Sequence, residues 1–317
     1  MKRTYIGGQA VLEGVMMKGP DSYALAVRTP EKNIEVKVTE YKSLGEKHKV
    51  LRIPFVRGVV NFLESLYIGM KTLMDSSEYL DDEEDSKNQD VKNVSPEDTE
   101  TKKSSSESAY LIGTLVVSLL IAIGVFMLLP AFLANFLYKF TDKSILVNIA
   151  EGVLRLLIFL GYVAAISFME DIKRTFMYHG AEHKTISCLE AGDDLTVENV
   201  RKHTRFHKRC GTSFVFIVMI ISIFVFMFVH TKVMWLRLLS RIILIPVIAG
   251  LSYEFIRYAG KHNNAFSRIL SAPGLWVQRL TTKEPDDSMI EVAIKSVEGV
   301  LDWKQYVECV RNDSFEK

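Results

Sequence analysis

The sequence predicts an α-helical integral membrane protein with four transmembrane helices and a small mixed α+β cytoplasmic cap. Four apolar runs, each near the ~20 residues that cross a bilayer, predict the membrane helices. They are Tyr110 to Phe136, Ile145 to Met169, Ser213 to Val229 and Val233 to Ile256, of which the third is short. Basic residues collected on one side of these runs, and two alternating segments near the N-terminus, predict the cap.

The N-terminal segment, 1–50, is rich in glycine and β-branched residues and predicts β structure. Its stretches 24–29 and 34–39 are typical of two short strands joined by a turn. The preceding glycine-rich stretch, Gly7 to Met17, lacks the lysine and hydroxyl residue of a P-loop and the spacing of a dinucleotide fingerprint. We therefore interpret its glycines as positions of tight packing.

Residues 51–80 are expected to form an amphipathic helix, because apolar residues from Phe55 to Met74 recur at near-helical spacing. This helix would lie on the membrane surface or, alternatively, pack on the transmembrane bundle. The acidic tract 81–108 is poor in apolar residues and is predicted to be a disordered linker.

The formal net charge of +1 hides the basic character of the chain outside this acidic tract. The positive excess suits contact with membrane lipid or an anionic substrate. No aromatic residues are interleaved with the basic ones in the way that nucleic-acid binding would require. We therefore expect no nucleic-acid partner.

The transmembrane region is predicted over 109–258, with a polar His/Cys loop at 170–211. Eight lysines and arginines fall in this loop, and more basic residues follow the last apolar run. The positive-inside rule then places the loop and both termini in the cytoplasm. The remaining segment, 259–317, is predicted to be cytoplasmic and helical, with a break at Ala272 to Gly274 and a helix from Met289 to Cys309 that Asp286 or Asp287 would cap.

Two charge pairs fall within the apolar runs, Glu151 with Arg155 and Glu254 with Arg257. An ionisable group inside a membrane segment is a functional candidate, and these pairs would serve a transporter. Pairing along a single helix is the simpler interpretation. Glu254 also lies near enough to the cytoplasmic end of its run to serve as a distant metal ligand.

The polar loop concentrates groups that bind metals, since four of the seven histidines and two of the three cysteines lie between Tyr178 and Thr212. In His179-x-x-Glu182-His183 the two imidazoles project from one helix face at a separation suited to zinc. Glu182 lies beside them as a candidate catalytic general base.

His207 and Cys210 are the next candidate ligands, because imidazole and thiolate both suit zinc or another divalent transition metal. Four protein ligands would close a structural site, whereas three would leave a position for water. Cys188 and Glu190 are reserve candidates, and His203 is interpreted as a surface residue. Alternatively, these histidines only form hydrogen bonds in a folded cap or contact lipid phosphates.

Several separate motifs resemble the YqhQ-like family of bacterial membrane proteins. They are Gly7 to Met17, Tyr178 to Lys184, His207 to Phe214, and Ala272 to Thr282 with Glu284 to Asp287. The resemblance implies a protein of unknown function, or a predicted metal-dependent enzyme without an established substrate. It also implies metal ligands at His179, His183, His207 and Cys210. Lys18 and Lys208 stand where the family pattern has arginine and proline, and neither is a candidate ligand.

These observations favour a metal-dependent membrane hydrolase that acts at the cytoplasmic membrane face on a lipid-linked or membrane-delivered substrate. A non-enzymatic scaffold or assembly factor with a closed zinc site is the alternative. A small-solute or ion transporter that uses Glu151, Arg155 and Glu254 is the third candidate.

Overall fold

The structure is a computed structural model that describes residues 6–44, 51, 53, 55–87, 113, 117–118, 120–229, 231, 233–262 and 264–312. The described chain is mostly helical with one small antiparallel sheet. It divides into two compact units: the first comprises Met1–Leu80, Val163–Ile221 and Ile243–Lys317, and the second comprises Asp81–Tyr162 and Ser222–Ile242.

The sheet has four strands in the order β1-β2-β3-β4, each antiparallel to its neighbours. The strands are β1 (Gly7–Val11), β2 (Gly14–Lys18), β3 (Ser22–Arg28) and β4 (Ile34–Glu40). Two of them, β3 and β4, coincide with the strands that alternation predicts. The glycine-rich stretch adds the β1–β2 hairpin, whose turn holds Glu13 in the left-handed region at φ 47°. Four consecutive residues of β2 are buried, so this strand shows no alternation of polar and apolar residues.

The α-helices are α1 (Val56–Lys87), α2 (Leu129–Asn135), α3 (Ser144–Ile166), α4 (Glu170–Ala191), α5 (Val197–Lys202), α6 (Gly211–Met227), α7 (Met234–Lys261), α8 (Ala265–Thr281), α9 (Asp287–Glu298) and α10 (Trp303–Arg311). The first of them extends seven residues beyond the predicted boundary at residue 80. Most of the predicted acidic linker lies outside the described residues.

The sheet is covered on both faces within the first unit. On one face, Ile68 of α1 joins a buried cluster with Val11, Met16 and Leu25 of the sheet. On the other face, α4 and α9 pack against Val15, Met17 and Ala26. The side of α1 away from the sheet carries exposed apolar residues, namely Phe62, Leu63, Leu66, Tyr67, Met70, Leu73 and Met74.

The C-terminal segment differs from its prediction at two points. Helix α8 continues through Pro273, where a break was expected, because Gly274 allows Ser213 to approach its backbone closely and Val277 is fully buried. The single helix expected from Met289 to Cys309 is divided into α9 and α10. Asp286 caps α9 by accepting a hydrogen bond from the Met289 N–H at 3.0 Å, and Asp302 caps α10 in the same way.

Three described helices are long and apolar enough to cross a membrane: Leu120–Lys139, Ser144–Ile166 and Trp235–Ala259. The first of these includes a π-helical turn, Gly124–Leu128, followed by α2 and a short 3-10 turn, Phe136–Lys139. The third apolar run forms α6, which has only 17 residues. The composition and length of three helices thus support the predicted membrane association.

Candidate metal centre

Helix α4 carries three of the predicted site residues, His179, Glu182 and His183, on one face. Glu170 and Asp171 occupy its first turn, where negative charge favours the helix dipole, and Gly192 ends it in the left-handed conformation at φ 83°. Gly180 lies inside the helix, and a side chain there would collide with the Lys283 carbonyl oxygen. The glycine that weakens the helix therefore permits a chain segment to pass close to it.

Three predicted ligands converge: the donor atoms of His179, His183 and Cys210 all lie within 4.8 Å of one another, and all three residues are buried. The His179 Nε2 atom is 3.1 Å from the Cys210 Sγ atom, and the two imidazole centroids are 4.4 Å apart. Cys210 directly precedes α6, so the cluster joins the middle of α4 to the beginning of another helix.

Backbone carbonyls fix both imidazoles. The Nδ1 atom of His179 lies 2.8 Å from the Thr281 oxygen, and the Nδ1 atom of His183 lies 2.6 Å from the Arg205 oxygen. Since a carbonyl oxygen only accepts hydrogen bonds, each Nδ1 carries the proton that is donated. Both Nε2 atoms therefore face the cluster, in the orientation that histidine ligands of metals usually have.

The Glu182 carboxylate lies beside the cluster and is almost completely buried. Its Oε2 atom is 3.5 Å from the His183 Nε2 and 3.9 Å from the His179 Nε2. Strand β1 passes over this side chain at Gly8, where a Cβ atom would lie only 2.6 Å from the Glu182 Cγ. The glycine-rich stretch thus packs tightly against the candidate general base.

The electrostatics of the cluster favour a thiolate at Cys210. Burial by itself raises the pKa of this thiol, but the His179 and His183 imidazoles outweigh burial and hold the pKa well below its ordinary value. Burial likewise acts to lower the pKa of His179, and the Cys210 thiolate outweighs it and raises that pKa to about 9. Thr212 adds a backbone N–H 3.4 Å from the sulfur. Two imidazoles and a thiolate form a donor set that zinc accepts.

His207 lies apart from the three converging ligands. Its ring centroid is 5.7 Å from that of His183, and its Nε2 atom is 3.7 Å from a Glu190 oxygen. Glu190, a reserve candidate, also forms an ion pair with Arg209. The other reserve candidate, Cys188, points its sulfur at the Asp194 carbonyl oxygen, 3.7 Å away.

Gln278 has a structural part in the site that the sequence did not reveal. Its Oε1 atom accepts a hydrogen bond from the His207 N–H at 2.8 Å, and its Nε2 donates to the His207 carbonyl oxygen at 2.7 Å. The same Nε2 donates to the Ser213 hydroxyl at 2.7 Å. Gln278 is fully buried and so fixes the loop that presents Cys210. It lies within the Ala272 to Thr282 motif, which assigned it no role.

Several basic residues of the 170–211 loop form ion pairs within the first unit. Glu284 binds both Lys184, at 2.8 Å, and Arg205, at 3.0 Å. Arg201 pairs with Asp287 at 2.5 Å, and Arg174 pairs with Glu13 at 2.5 Å. These cations therefore connect the loop to the C-terminal segment and to the β1–β2 turn.

The two charge pairs of the apolar runs differ from the simplest expectation. Glu254 forms two hydrogen bonds with Arg57, at 2.6 and 2.7 Å, and lies 4.0 Å from its expected partner Arg257. Its carboxylate is therefore held by α1. Glu151 pairs with Arg155 at 2.9 Å, as expected, and also binds two further arginines of the second unit.

Comparison with known proteins gives two matches. A family described as "Protein of unknown function (DUF1385)" matches residues 53–303, which include the whole candidate metal centre. The chain is also 40% identical over 302 residues to "Uncharacterized protein YqhQ" of Bacillus subtilis (strain 168), a match that covers 93% of this chain and 92% of that protein. No solved structure matches the chain.

Proposed function

Because the chain belongs to the YqhQ-like family, whose description is a protein of unknown function (DUF1385), we propose from its own geometry that it is a metal-dependent membrane hydrolase. The observation that carries the proposal is the convergence of His179, His183 and Cys210 beside a buried carboxylate. Three protein ligands are the number found in catalytic zinc sites, which keep one position open.

His179, His183 and Cys210 would hold a zinc ion, which would supply Lewis-acid polarisation of a carbonyl or phosphoryl oxygen. Glu182 acts as the general base that removes a proton from the attacking water. Its carboxylate is within 3.5 Å of His183 and is shielded by the Gly8 backbone. The Thr281 and Arg205 carbonyls hold the imidazoles in the required tautomer, and His207 remains available as a fourth group near the site.

The proposal includes a four-span topology with both termini and the 170–211 loop in the cytoplasm. The three longer helices are three of the proposed spans, and α6 is the fourth. Its 17 residues extend about 26 Å, slightly less than the ~30 Å hydrocarbon core. Phe228 and Val229 continue the apolar run beyond it. Cys210 of the candidate metal centre directly precedes α6, and this position favours a lipid-linked or membrane-delivered substrate.

The burial of all three ligands favours a second candidate function, that of a scaffold or assembly factor with a structural zinc site. In that case the metal would hold α4 against the beginning of α6 and would perform no chemistry. The two functions differ in what they require of Glu182. A base is essential to the hydrolase, whereas a structural site needs only the ligands.

Metal content tests the site. We expect the full-length protein, purified in detergent without chelator, to carry about one divalent metal per chain, as a single-site cluster requires. His183→Ala should lose this metal. His203→Ala, which changes a histidine paired with Asp193 outside the cluster, should retain it. Wild-type protein without stoichiometric metal would overturn the proposal.

Glu182→Gln then separates the two functions. The hydrolase predicts that this variant keeps its metal and its thermal stability but fails to restore the phenotype of cells that lack the protein. The scaffold predicts full restoration. Metal content and unfolding temperature, measured on the same preparation, show whether any loss of function arises from misfolding instead.

A further inference from the structure

A second cluster of charged residues lies in the second unit, within the apolar helices. Glu151 of α3 accepts hydrogen bonds from Arg237 of α7 at 2.6 Å, from Arg241 Nε at 2.7 Å and from Arg155 at 2.9 Å. Glu151, Arg237 and Arg241 are at most 2% exposed. The metal centre does not use any of these groups.

The Glu151 carboxylate has no capacity left for further donors. Its Oε1 atom accepts from Arg155 and from Arg241 Nε, and its Oε2 atom accepts from Arg237 and from Arg241 Nη2. A carboxylate offers about four lone-pair positions, and all of them are occupied here.

Other donors of the cluster are left without an acceptor. Among the described residues, the Nε and Nη1 atoms of Arg237 are buried and have no hydrogen-bond partner, and the same holds for the Tyr138 hydroxyl. The Arg237 guanidinium lies over the Tyr138 ring, 5.6 Å from its centroid, so the two side chains are in contact. Buried donors of this kind are costly and point to an acceptor that the described part of the chain does not provide.

The charge of the cluster indicates what kind of acceptor is missing. Three guanidinium groups surround one carboxylate, so the hydrogen-bonded group carries two positive charges in excess. A buried water would satisfy a donor without neutralising this charge, whereas an anion does both. Ionisable groups inside a membrane segment are rare unless they are paired or functional.

The position of the cluster along its helices indicates the source of the anion. Arg237 lies about one turn, ~5 Å, into α7, and Glu151 lies about two turns, ~10 Å, into α3. The Asn148 amide donates to the Val229 carbonyl at 2.8 Å, so the beginning of α3 lies against the segment that precedes α7. In a bilayer, whose headgroup layers extend the ~30 Å core to ~40–45 Å, this end of the helices is within reach of lipid headgroups.

We infer that Arg237, together with the Tyr138 hydroxyl and the excess charge of Arg155 and Arg241, binds the phosphate of an anionic phospholipid headgroup. In the proposed topology this end of the spans faces away from the cytoplasm, so the lipid belongs to the outer leaflet. The phosphate oxygens accept the Arg237 Nε and Nη1 protons and the Tyr138 proton. The site is independent of the metal centre.

The test uses full-length protein in detergent, titrated with short-chain phosphatidylglycerol, short-chain phosphatidylcholine or inorganic phosphate, with bound ligand measured by native mass spectrometry. We expect phosphatidylglycerol to bind more tightly than phosphatidylcholine. Tyr138→Phe removes one hydroxyl and should lower the affinity for phosphatidylglycerol about tenfold, as the loss of a hydrogen bond to a charged group predicts. Arg237→Gln should lower this affinity further, by about a hundredfold relative to the wild type.

Tyr162→Phe is the matched control, because it removes a tyrosine hydroxyl from α3 at a half-exposed position. It should bind phosphatidylglycerol as the wild type does. Tyr138→Phe also provides a test if Arg237→Gln fails to fold. If inorganic phosphate binds and its affinity depends on both residues in the same way, the cluster is an anion site, but the anion does not have to come from a lipid. Equal affinities in wild type and Tyr138→Phe would overturn the site itself.

Discussion

The backbone of Gly8 crosses the side chain of Glu182 so closely that a methyl group on Gly8 would lie 2.6 Å from the Glu182 Cγ and 2.8 Å from its Oε1. Strand β1 and helix α4 are therefore in direct contact at the candidate general base. Real Cβ atoms do not approach other heavy atoms to such distances, so either the strand or the carboxylate has to move if any side chain is added.

Gly8→Ala should therefore impair function through Glu182. We expect a loss of about 1–3 kcal/mol in the free energy of unfolding, which is typical of an overpacked site, and a loss of function in cells. The ligands are not touched, so metal content should remain. Gly7→Ala is the control, since a Cβ atom there has no neighbour within 4 Å. Equal unfolding temperatures and equal function for the two variants would contradict the packing described.

Gln278→Glu tests the support of the Cys210 loop. The replacement has the same shape but removes the amide that donates to the His207 carbonyl and to the Ser213 hydroxyl. We expect metal affinity, measured by competition with a chelator, to fall about 10–100-fold, as changes to groups that orient ligands commonly do.

Ser213→Ala serves as the comparison for that variant, because it removes only one of the two acceptors. Its metal affinity should fall less than that of Gln278→Glu. If Gln278→Glu binds metal as tightly as the wild type, the glutamine does not position the loop.

Part of the site could be predicted because its signal is local. The spacing of His179, Glu182 and His183 is enough to place them on one helix face. Cys210 was predicted as a ligand because its thiol lies near a histidine in the sequence. The same reasoning chose His207, but spacing did not predict the contact of His207 with Glu190. The family resemblance, which the comparisons confirm, added no further residue to this set.

The remaining features depend on contacts between residues distant in sequence. Gln278 acts on His207 from 71 positions away, and Arg237 reaches Glu151 from 86 positions away. Spacing carries no information about such pairs. Strand β2 was missed because burial on both faces removes alternation, and Pro273 was taken for a break because packing of the helix around it is not a local property.

Glu151→Gln should be among the most destabilising single changes in the second unit. It leaves three arginines without the carboxylate that binds them, and removal of one partner from a buried ionic group costs about 3–5 kcal/mol. Glu254→Gln removes a carboxylate whose ion pair with Arg57 is about one-quarter exposed, and should cost about 1 kcal/mol or less. Thermal unfolding in detergent measures both variants. Similar unfolding temperatures would show that the buried cluster does not depend on Glu151.

Cysteine labelling provides a test of the electrostatics in the candidate metal centre. Burial, with a smaller contribution from Asp193 and Asp194, raises the pKa of Cys188 to about 12, so at pH 7 only about one thiol in 10⁵ is the reactive thiolate. The pKa of Cys210 is instead held well below its ordinary value by the His179 and His183 imidazoles, which favours the thiolate.

Both cysteines are buried, so their reactivities differ mainly through their pKa values. We therefore expect iodoacetamide at pH 7 to modify Cys210 faster than Cys188 after a chelator has removed the metal. The rate at Cys188 should rise about tenfold per pH unit below its pKa, whereas the rate at Cys210 should rise less steeply with pH. Cys309, which is half-buried, provides an internal reference in the same digest. Mass spectrometry of the peptides gives each rate, and added zinc should protect Cys210 alone. Equal labelling of Cys188 and Cys210 in the metal-free protein would contradict the thiolate at the site.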